Sequence, residues 1–261
     1  MEIISSKNNN TIKYISGLNK SAKARKKEGC FSCEGLRICY DAFLSDAEIE
    51  VVVFTKEMFD KNVDKLTEIS RRAKKSFMID DKLFPLISDT KSPQGIICVV
   101  KTLDKYPSFD KIIQNGRVLA LEDIQDPNNL GTILRTAEAF NIDCVLLTKG
   151  CCDVYSPKVV RGSMGALFRQ NFCIIDDFAD FLTEFNKLGT SYAAILDDKA
   201  QSLKNISFDK NSLVVIGNEG NGIKESTARL CTDSVYIPMD GKAQSLNASV
   251  AASVLMWEMV K

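Results

Sequence analysis

The segment Leu213–Lys224 reads LVVIGNEGNGIK, an apolar run of strand length followed by a glycine-rich loop. Such a run is typical of a strand that is buried on both faces, as in a parallel sheet. Glycines at 217, 220 and 222 allow the backbone to approach a ligand closely, and one acid, Glu219, lies among them. The spacing matches neither the P-loop nor the dinucleotide-binding fingerprint, so a plain glycine turn remains an equal alternative for this segment alone.

Five more apolar runs of strand length lie in the same half of the chain, at residues 118–121, 144–148, 171–175, 192–196 and 235–238. Helical patterns separate them, and the clearest predicts a helix over 177–188. This alternation indicates an open parallel sheet covered by helices. Ligands of such sheets bind at the carboxyl ends of the strands, so the loops that follow the strands are the candidate sites.

The N-terminal half also alternates helical and strand-like patterns, including a charged helix predicted over 57–75, which indicates a second, smaller α/β domain. A polar stretch, TLDKYPSFDKIIQNGR at 102–117, separates the two halves. We therefore predict domains at 1–105 and 117–261, joined by a linker at 106–116.

The composition excludes several classes of function. The 261-residue chain has no histidine, which removes His-containing metal sites and Ser-His-Asp or Cys-His catalysis. No apolar run approaches the roughly 20 residues that span a bilayer, and the N-terminus lacks a signal-peptide core, so we expect a cytoplasmic protein that does not enter a membrane. The nine cysteines follow no regular framework, which favours reduced thiols.

The net charge is zero, but positive charge is concentrated in the N-terminal half. Its densest cluster consists of Lys20, Lys23, Arg25, Lys26 and Lys27, and a second consists of Arg71, Arg72, Lys74 and Lys75. Clustered cations of this kind can bind a phosphate backbone. Solvated helix faces explain both clusters equally well.

Two further loops at predicted strand ends carry notable side chains. The loop after residue 121 leads into a helix that leaves Arg135 outside its apolar stripe, where a guanidinium can bind a phosphate or stabilise an oxyanion. A surface or salt-bridge role is the alternative. The loop after residue 238 brings Ser245 and Asn247 to the start of an apolar helix, for which helix capping is the alternative.

Taken together, these segments resemble a known family. Asn129 followed six residues later by Arg135, GNEG at 217–220, and IPMxG followed by SLN at 245–247 resemble, in order and spacing, the three motifs of the TrmH/SpoU-type RNA ribose 2′-O-methyltransferases. The N-terminal half, with its EGLR run at 34–37 and SPQGIICVV, is similar to that family's substrate-binding domain of L30e-like fold. The resemblance covers essentially the whole chain.

The resemblance implies an S-adenosylmethionine-dependent enzyme that methylates a ribose 2′-hydroxyl, more often in ribosomal RNA than in transfer RNA. It implies an α/β fold of the SPOUT type, in which the C-terminal parallel-sheet domain forms a trefoil knot, and a homodimer that buries the knot helices. It implies no metal. By position, the cofactor-binding residues are Gly217, Ile237 and Leu246, and the catalytic residues are Asn129, Arg135, Glu219, Ser245 and Asn247.

A guanidinium keeps its proton near neutral pH, so we expect Arg135 to hold the target phosphate and stabilise the developing alkoxide rather than to act as a base. We expect Glu219, Ser245 and Asn247 to orient Arg135 and the ribose hydroxyls through hydrogen bonds. The basic residues 20–27 are expected to contact RNA.

Two alternatives belong to other classes. The chain could be a non-catalytic RNA-binding or ribosome-assembly protein that retains the fold, although all five matched polar positions are intact. It could also be a zinc or redox protein, as Cys30-Phe-Ser-Cys33 and the adjacent Cys151 and Cys152 suggest. A single CxxC without histidine is a weak zinc signal.

Overall fold

The computed structural model describes residues 2–103, 116–197 and 199–261. The chain divides into two compact units: a first unit of Met1–Asp104 with Tyr155–Phe168, and a second unit of Lys105–Val154 with Arg169–Lys261. The predicted linker at 106–116 lies outside the described residues except for Gly116.

The regular elements up to residue 103 are β1 (Glu2–Ile4), α1 (Asn10–Lys20), α2 (Ala22–Glu28), β2 (Cys30–Glu34), α3 (Leu36–Leu44), β3 (Ile49–Thr55), α4 (Lys56–Lys61), α5 (Val63–Arg72), β4 (Lys75–Ile79) and β5 (Ile96–Lys101). Those from residue 116 onward are β6 (Val118–Leu121), α6 (Pro127–Ala139), β7 (Cys144–Thr148), α7 (Pro157–Gly162), β8 (Phe172–Ile175), α8 (Phe178–Phe185), β9 (Thr190–Ala194), β10 (Gln201–Ser202), β11 (Ser212–Ile216), α9 (Glu225–Leu230), β12 (Asp233–Tyr236) and α10 (Ala248–Val260).

The first unit is built on a five-stranded sheet in the order β1-β4-β3-β5-β2, in which β5 runs antiparallel to both neighbours. Apolar residues of α1, among them Ile15 and Leu18, pack against one face of this sheet. The single helix predicted over 57–75 is wrong, because α4 and α5 are separate helices. Asn62 lies between them with φ −141° and ψ 42°, outside the helical region.

A segment from the middle of the chain completes the first unit. The ring of Tyr155 stacks on that of Phe31 with 4.9 Å between centroids. The Tyr155 hydroxyl accepts from the Leu103 amide at 3.0 Å and donates to the Leu103 carbonyl at 2.8 Å. Arg161 of α7 also pairs with Asp89 at 2.8 Å. Residues 155–168 therefore belong to the first unit, although the strands on either side of them in the chain belong to the second.

The second unit is built on a seven-stranded sheet in the order β10-β12-β9-β11-β6-β7-β8, and all its strand pairs are parallel. The predicted open parallel sheet is confirmed. The strands predicted at 118–121 and 144–148 have the observed bounds, whereas the strand predicted at 192–196 lies two residues earlier, at Thr190–Ala194. All five residues of the central β11 are buried, which explains its unbroken apolar run.

Within residues 2–103, 116–197 and 199–261, no helix combines the length and apolar character that crossing a membrane requires. All nine cysteines are free.

Candidate functional site

Three neighbouring parallel strands, β9, β11 and β12, end beside one cavity of about 460 Å³. Its walls are the residues that follow these strands, together with Ser245, Leu246 and the start of α10. Small-molecule sites typically have volumes of roughly 300–1,000 Å³, and open α/β sheets bind ligands at this edge. The cavity therefore has the size and the place of a ligand site.

The predicted cofactor-binding residues Gly217, Ile237 and Leu246 all line this cavity, and so do Glu219 and Ser245. The wall that follows β9 and the residues around Ile237 were not predicted from the sequence. These additional lining residues are Ala194, Ile195, Leu196, Tyr236 and Met239. The strand predicted at 192–196 could have indicated this wall, because ligands bind at the carboxyl ends of parallel strands. Its sequence, however, marks no single residue as a cavity residue.

The glycine loop after β11 is fixed by its own hydrogen bonds. Asn218 and Gly222 exchange backbone hydrogen bonds of 3.0 and 2.9 Å. The Asn218 side-chain oxygen accepts from the amides of Gly220 and Asn221 at 2.9 and 3.0 Å. A Cβ at position 217 would lie 2.1 Å from the Gly222 carbonyl carbon, so only glycine fits there. The loop thus presents a close backbone wall to the cavity.

The lining of the cavity is mainly apolar and carries little charge. Among the described residues that line it, Glu219 is the one charged side chain, and no lysine or arginine takes part. Ile195, Ile237, Leu246 and Leu255 supply apolar surface. An apolar cavity with one acid and no base suits a nucleoside-sized ligand that carries a positive charge.

A chain of hydrogen bonds links Glu219, Asn129 and Asn247. The Asn129 amide nitrogen donates to Glu219 Oε1 at 2.9 Å, and the Asn247 amide nitrogen donates to Asn129 Oδ1 at 3.0 Å. Asn247 Oδ1 in turn accepts from the Ser249 amide at 2.9 Å and caps α10. The polar chain therefore joins the glycine loop, the first turn of α6 and the start of α10.

Glu219 is an ionised acceptor in this chain. Its carboxylate accepts from the backbone amides of Gln125 and Asp126, each at 3.0 Å. Partial burial raises the pKa of Glu219, but the hydrogen bonds from Gln125, Asn129 and Asp126 outweigh it and bring the pKa below its usual value. Glu219 is therefore a weak base that orients its neighbours.

Arg135 has different contacts from those predicted. It is exposed on α6, and in the described parts of the chain it forms no hydrogen bond or ion pair. Glu219 and Asn247 bind Asn129 instead, and Ser245 forms no hydrogen bond within the same residues. Positions 129 and 135 are six residues apart and so face different sides of a helix with 3.6 residues per turn. The buried Asn129 receives the polar contacts that we had predicted for Arg135.

The predicted RNA contact is wrong for one member of the basic cluster, Arg25. Arg25 is 6% exposed, and its guanidinium donates to the Leu18 carbonyl at 2.5 Å at the end of α1. It satisfies a helix-terminal carbonyl and is not available to a phosphate. The exposed members of the cluster are Lys20, Lys23, Lys26 and Lys27.

The second basic cluster is partly neutralised. Arg72 pairs with Asp46 at 2.7 Å, and Lys74 pairs with Glu50 at 2.7 Å and also with Glu48. The interpretation as a solvated face fits these two residues.

The zinc alternative lacks support in the described residues, because they contain no group of three or more His, Cys, Asp or Glu side chains that could hold a metal. Cys30 and Cys33 lie on β2, where an odd spacing places side chains on opposite faces of the sheet. The CxxC spacing therefore does not bring the two thiols together.

An open parallel sheet with a cavity of this size at its carboxyl edge is the arrangement of an α/β protein that binds a small ligand there. The model of the SpoU rRNA Methylase family matches residues 116–257, more than half of the chain, and that of the MRM3-like substrate binding domain matches residues 9–98. The chain belongs to the SpoU rRNA methylase family.

Relatives of known description match almost the entire chain. The 23S rRNA (guanosine(2553)-2′-O)-methyltransferase RlmP of Bacillus subtilis is 26% identical over 259 residues, 99% of each chain. The AdoMet-bound rRNA methyltransferase from Sinorhizobium meliloti is 25% identical with a TM-score of 0.87, covering 99% of this chain and 97% of that one. A TrmH-family protein from Porphyromonas gingivalis is 32% identical with a TM-score of 0.83, covering 98% of both chains.

These comparisons confirm the predicted family and fold class. They also confirm the predicted enzyme class, an S-adenosylmethionine-dependent RNA methyltransferase. The alternative of a non-catalytic RNA-binding protein is therefore not needed. The roles of individual site residues stay predictions.

Replacing Asn129 should disrupt the polar chain. Asn129→Ala removes one hydrogen bond from Glu219 and one from Asn247, and the net contribution of such bonds is about 0.5–1.5 kcal/mol, or about 1.5–3 kcal/mol where one partner is charged. We expect urea denaturation to show a loss of stability of that order together with reduced methyl transfer. The neighbouring Asn128 is exposed, so Asn128→Ala should change stability by less than about 0.5 kcal/mol. Equal effects of the two substitutions would contradict the role given to Asn129.

Proposed function

We propose that this enzyme methylates a ribose 2′-hydroxyl of ribosomal RNA. The observation that carries the proposal is the polar chain Glu219–Asn129–Asn247 at the rim of a nucleoside-sized cavity, with Arg135, which has no partner among the described residues, on the same helix as Asn129. The name of the Bacillus subtilis relative gives a 2′-O position in 23S rRNA as its target, which supports the same type of target here. Because the proposed substrate is ribosomal RNA, we place the enzyme in the cytoplasm.

The cavity fits S-adenosylmethionine in size, in its apolar lining and in its single negative charge. When bound, the cofactor supplies a methyl group on a sulfonium. Gly217, Ile237 and Leu246 would hold its adenosine and methionine parts, and the close backbone of the glycine loop would form one wall.

Methyl transfer to a hydroxyl is an in-line displacement that needs the oxygen aligned at roughly 3 Å and a path for its proton. The exposed guanidinium of Arg135 would hold the phosphate beside the target ribose and stabilise the negative charge that develops on the oxygen. Asn129, held between Glu219 and Asn247, would orient the ribose, with Ser245 at the cavity wall. Glu219 acts through Asn129 and keeps it in one orientation.

Mapping of 2′-O-methylation in cells with and without the gene tests the proposed substrate. We expect loss of methylation at a specific ribosomal RNA position, and recovery of it when the purified enzyme and S-adenosylmethionine act on that RNA. Loss in transfer RNA alone would overturn the choice of ribosomal RNA, and loss of a base methyl group would overturn the choice of the ribose hydroxyl.

The exposed lysines of the first unit are proposed to bind the RNA backbone. Substituting Lys20, Lys23 and Lys26 together with alanine should weaken RNA binding and reduce the slope of log affinity against log salt by up to roughly 2–3, because each lost phosphate contact removes about 0.7–0.9. Filter binding at several salt concentrations measures this slope. The matched control replaces three other exposed lysines of the first unit, Lys56, Lys61 and Lys82. The proposal fails if both triple variants shift the slope equally.

We also propose a homodimer in which α10 is buried. This helix carries no charge before Glu258, yet Val250 and Trp257, one heptad apart on the same face, are 48% and 53% exposed. Phe140 packs on Trp257 with 5.6 Å between ring centroids and extends the apolar surface. An exposed apolar surface on a folded protein indicates a binding partner. In a symmetric dimer, the same apolar surface of a second copy would cover it.

Trp257→Glu should convert the dimer into a monomer of 29.0 kDa, because it places a charge in the proposed interface. Light scattering after size-exclusion chromatography measures the mass. Leu188→Glu introduces the same charge at a leucine that is 62% exposed elsewhere in the second unit, and it should leave the dimer intact. A wild-type protein of 29.0 kDa would contradict the proposal.

A further inference from the structure

Glu122, the residue that follows β6, is a buried acid outside the polar chain described above. It is 3% exposed, and both of its oxygens accept hydrogen bonds. Oε2 accepts from the Lys224 amide at 2.8 Å, and Oε1 accepts from the Thr227 hydroxyl at 2.6 Å. A buried carboxylate is unfavourable unless it is fully partnered, so these contacts fix its position.

The contacts of Glu122 fix the chain where it leaves the glycine loop. Lys224 is the N-cap residue of α9, and its side chain makes no capping hydrogen bond. Glu122 satisfies the first amide of the helix from another part of the sheet. On the other side of the loop, β11 is held by β6 and β9. The loop is therefore fixed at both ends.

Asp123 provides a second connection between the same two segments. Its Oδ2 pairs with the ammonium of Lys224 at 2.6 Å, and its Oδ1 accepts from the Thr148 hydroxyl at 2.8 Å. Its carbonyl accepts from the Asn218 side chain at 2.8 Å, and Asn218 lines the cavity. The Lys224 ammonium lowers the pKa of Asp123, which keeps this pair ionised. We call Glu122, Asp123 and Lys224 the loop brace.

We propose that Glu122 and Lys224 are positioning residues that hold the glycine loop in the shape that receives S-adenosylmethionine. The inference rests on the proposed place of the cofactor in this cavity. Neither residue lines the cavity, so each acts through the loop. Without the brace, the loop would become ordered only when the ligand binds. The free-energy cost of ordering the loop would then weaken the observed binding affinity.

Calorimetric titration with S-adenosylmethionine tests the brace. Glu122→Ala should raise the Kd about 10- to 100-fold, as expected when hydrogen bonds to a charged group are lost. Lys224→Met keeps the backbone amide and removes the ion pair with Asp123, so it should raise the Kd about two- to fivefold. Glu122→Gln keeps an acceptor for the Lys224 amide and a partner for Thr227, so it should restore the Kd to within about threefold of the wild type. Arg229→Met, at an exposed arginine of the same helix, should leave the Kd unchanged.

The effects of the substitutions on KM and kcat distinguish a positioning role of Glu122 and Lys224 from a catalytic or merely structural role. With ribosomal RNA from cells that lack the gene, the KM for S-adenosylmethionine should rise in parallel with the Kd, while kcat at saturating cofactor stays within about threefold. Lys224 is 59% exposed at its side chain, so Lys224→Met keeps the test valid if Glu122→Ala does not fold.

Three results would overturn the inference. The first is a wild-type Kd in both Glu122→Ala and Lys224→Met, and the second is a fall in kcat with an unchanged KM. In both cases the cofactor still binds the wild-type protein, so the proposed function stands. The third is a wild-type protein that does not bind S-adenosylmethionine, which would overturn the proposed cofactor site and this inference together.

Discussion

Arg135→Ala is expected to lower kcat by about 10²- to 10³-fold, the usual effect of removing a group that stabilises developing charge. Arg135 is exposed, has no partner among the described residues and does not line the cavity. The affinity for S-adenosylmethionine and the stability of the fold should therefore be unchanged. Single-turnover methyl transfer and calorimetry measure the two effects separately.

Arg135→Lys distinguishes bidentate hydrogen bonding of the guanidinium to phosphate from a requirement for positive charge alone. Lysine keeps the charge but lacks the planar fork, so most of the loss should persist. A variant that keeps both the rate and the RNA affinity of the wild type would show that the fork is not needed. Arg229→Ala, at an arginine whose side chain is 76% exposed, is the control for removing a surface guanidinium.

Gly217→Ala should strongly weaken cofactor binding. The added Cβ would lie 2.1 Å from the Gly222 carbonyl carbon and 2.2 Å from the Ile223 nitrogen. Both are backbone atoms, so the loop itself must move. A displacement of about 1 Å in such a site can reduce activity about 10²-fold, and overpacking destabilises by about 1–3 kcal/mol. Calorimetry should therefore show a strongly raised Kd, and thermal denaturation a lower Tm.

Gly220→Ala is the matched control for this steric argument. The nearest atom to a Cβ at position 220 is Asn218 Oδ1, at an ordinary contact distance of 3.6 Å. The Tm of this variant should stay near that of the wild type. Equal losses of Tm in the two variants would mean that general loop entropy, and not the contact at Gly217, explains the effect.

The parallel sheet was predictable because strands buried on both faces leave uninterrupted apolar runs. This is why β6 and β7 were found with their observed bounds. No such signal indicates the placement of residues 155–168 in the first unit, where their contacts include the stacking of Tyr155 and Phe168 on Phe31, the Tyr155 hydroxyl and one ion pair. Contacts of this kind have no period along the chain.

Five of the eight residues predicted from the motifs line the cavity, but the motifs did not indicate which of the polar residues bond to one another. The family resemblance led us to expect that Glu219 orients Arg135, whereas in the structure the buried Asn129 donates to Glu219. The burial of Arg25 could not be predicted from the sequence either, because the other residues of α2 are alanine, lysine and glutamate. No apolar stripe marks the inner face of that helix, so one inward arginine looks like its exposed neighbours.

The polar chain has a consequence for how the enzyme is made. During translation Asn129 is added first. Glu219 follows after 90 residues, and Asn247 follows Asn129 by 118 residues. A nascent chain that has emerged only as far as β12 contains every strand of the sheet, but it lacks the donor to Asn129 and the last wall of the cavity. Such a chain is still at the ribosome, surrounded by ribosomal RNA. Because the proposed active site is completed late, a chain at this stage cannot yet carry out the proposed methylation.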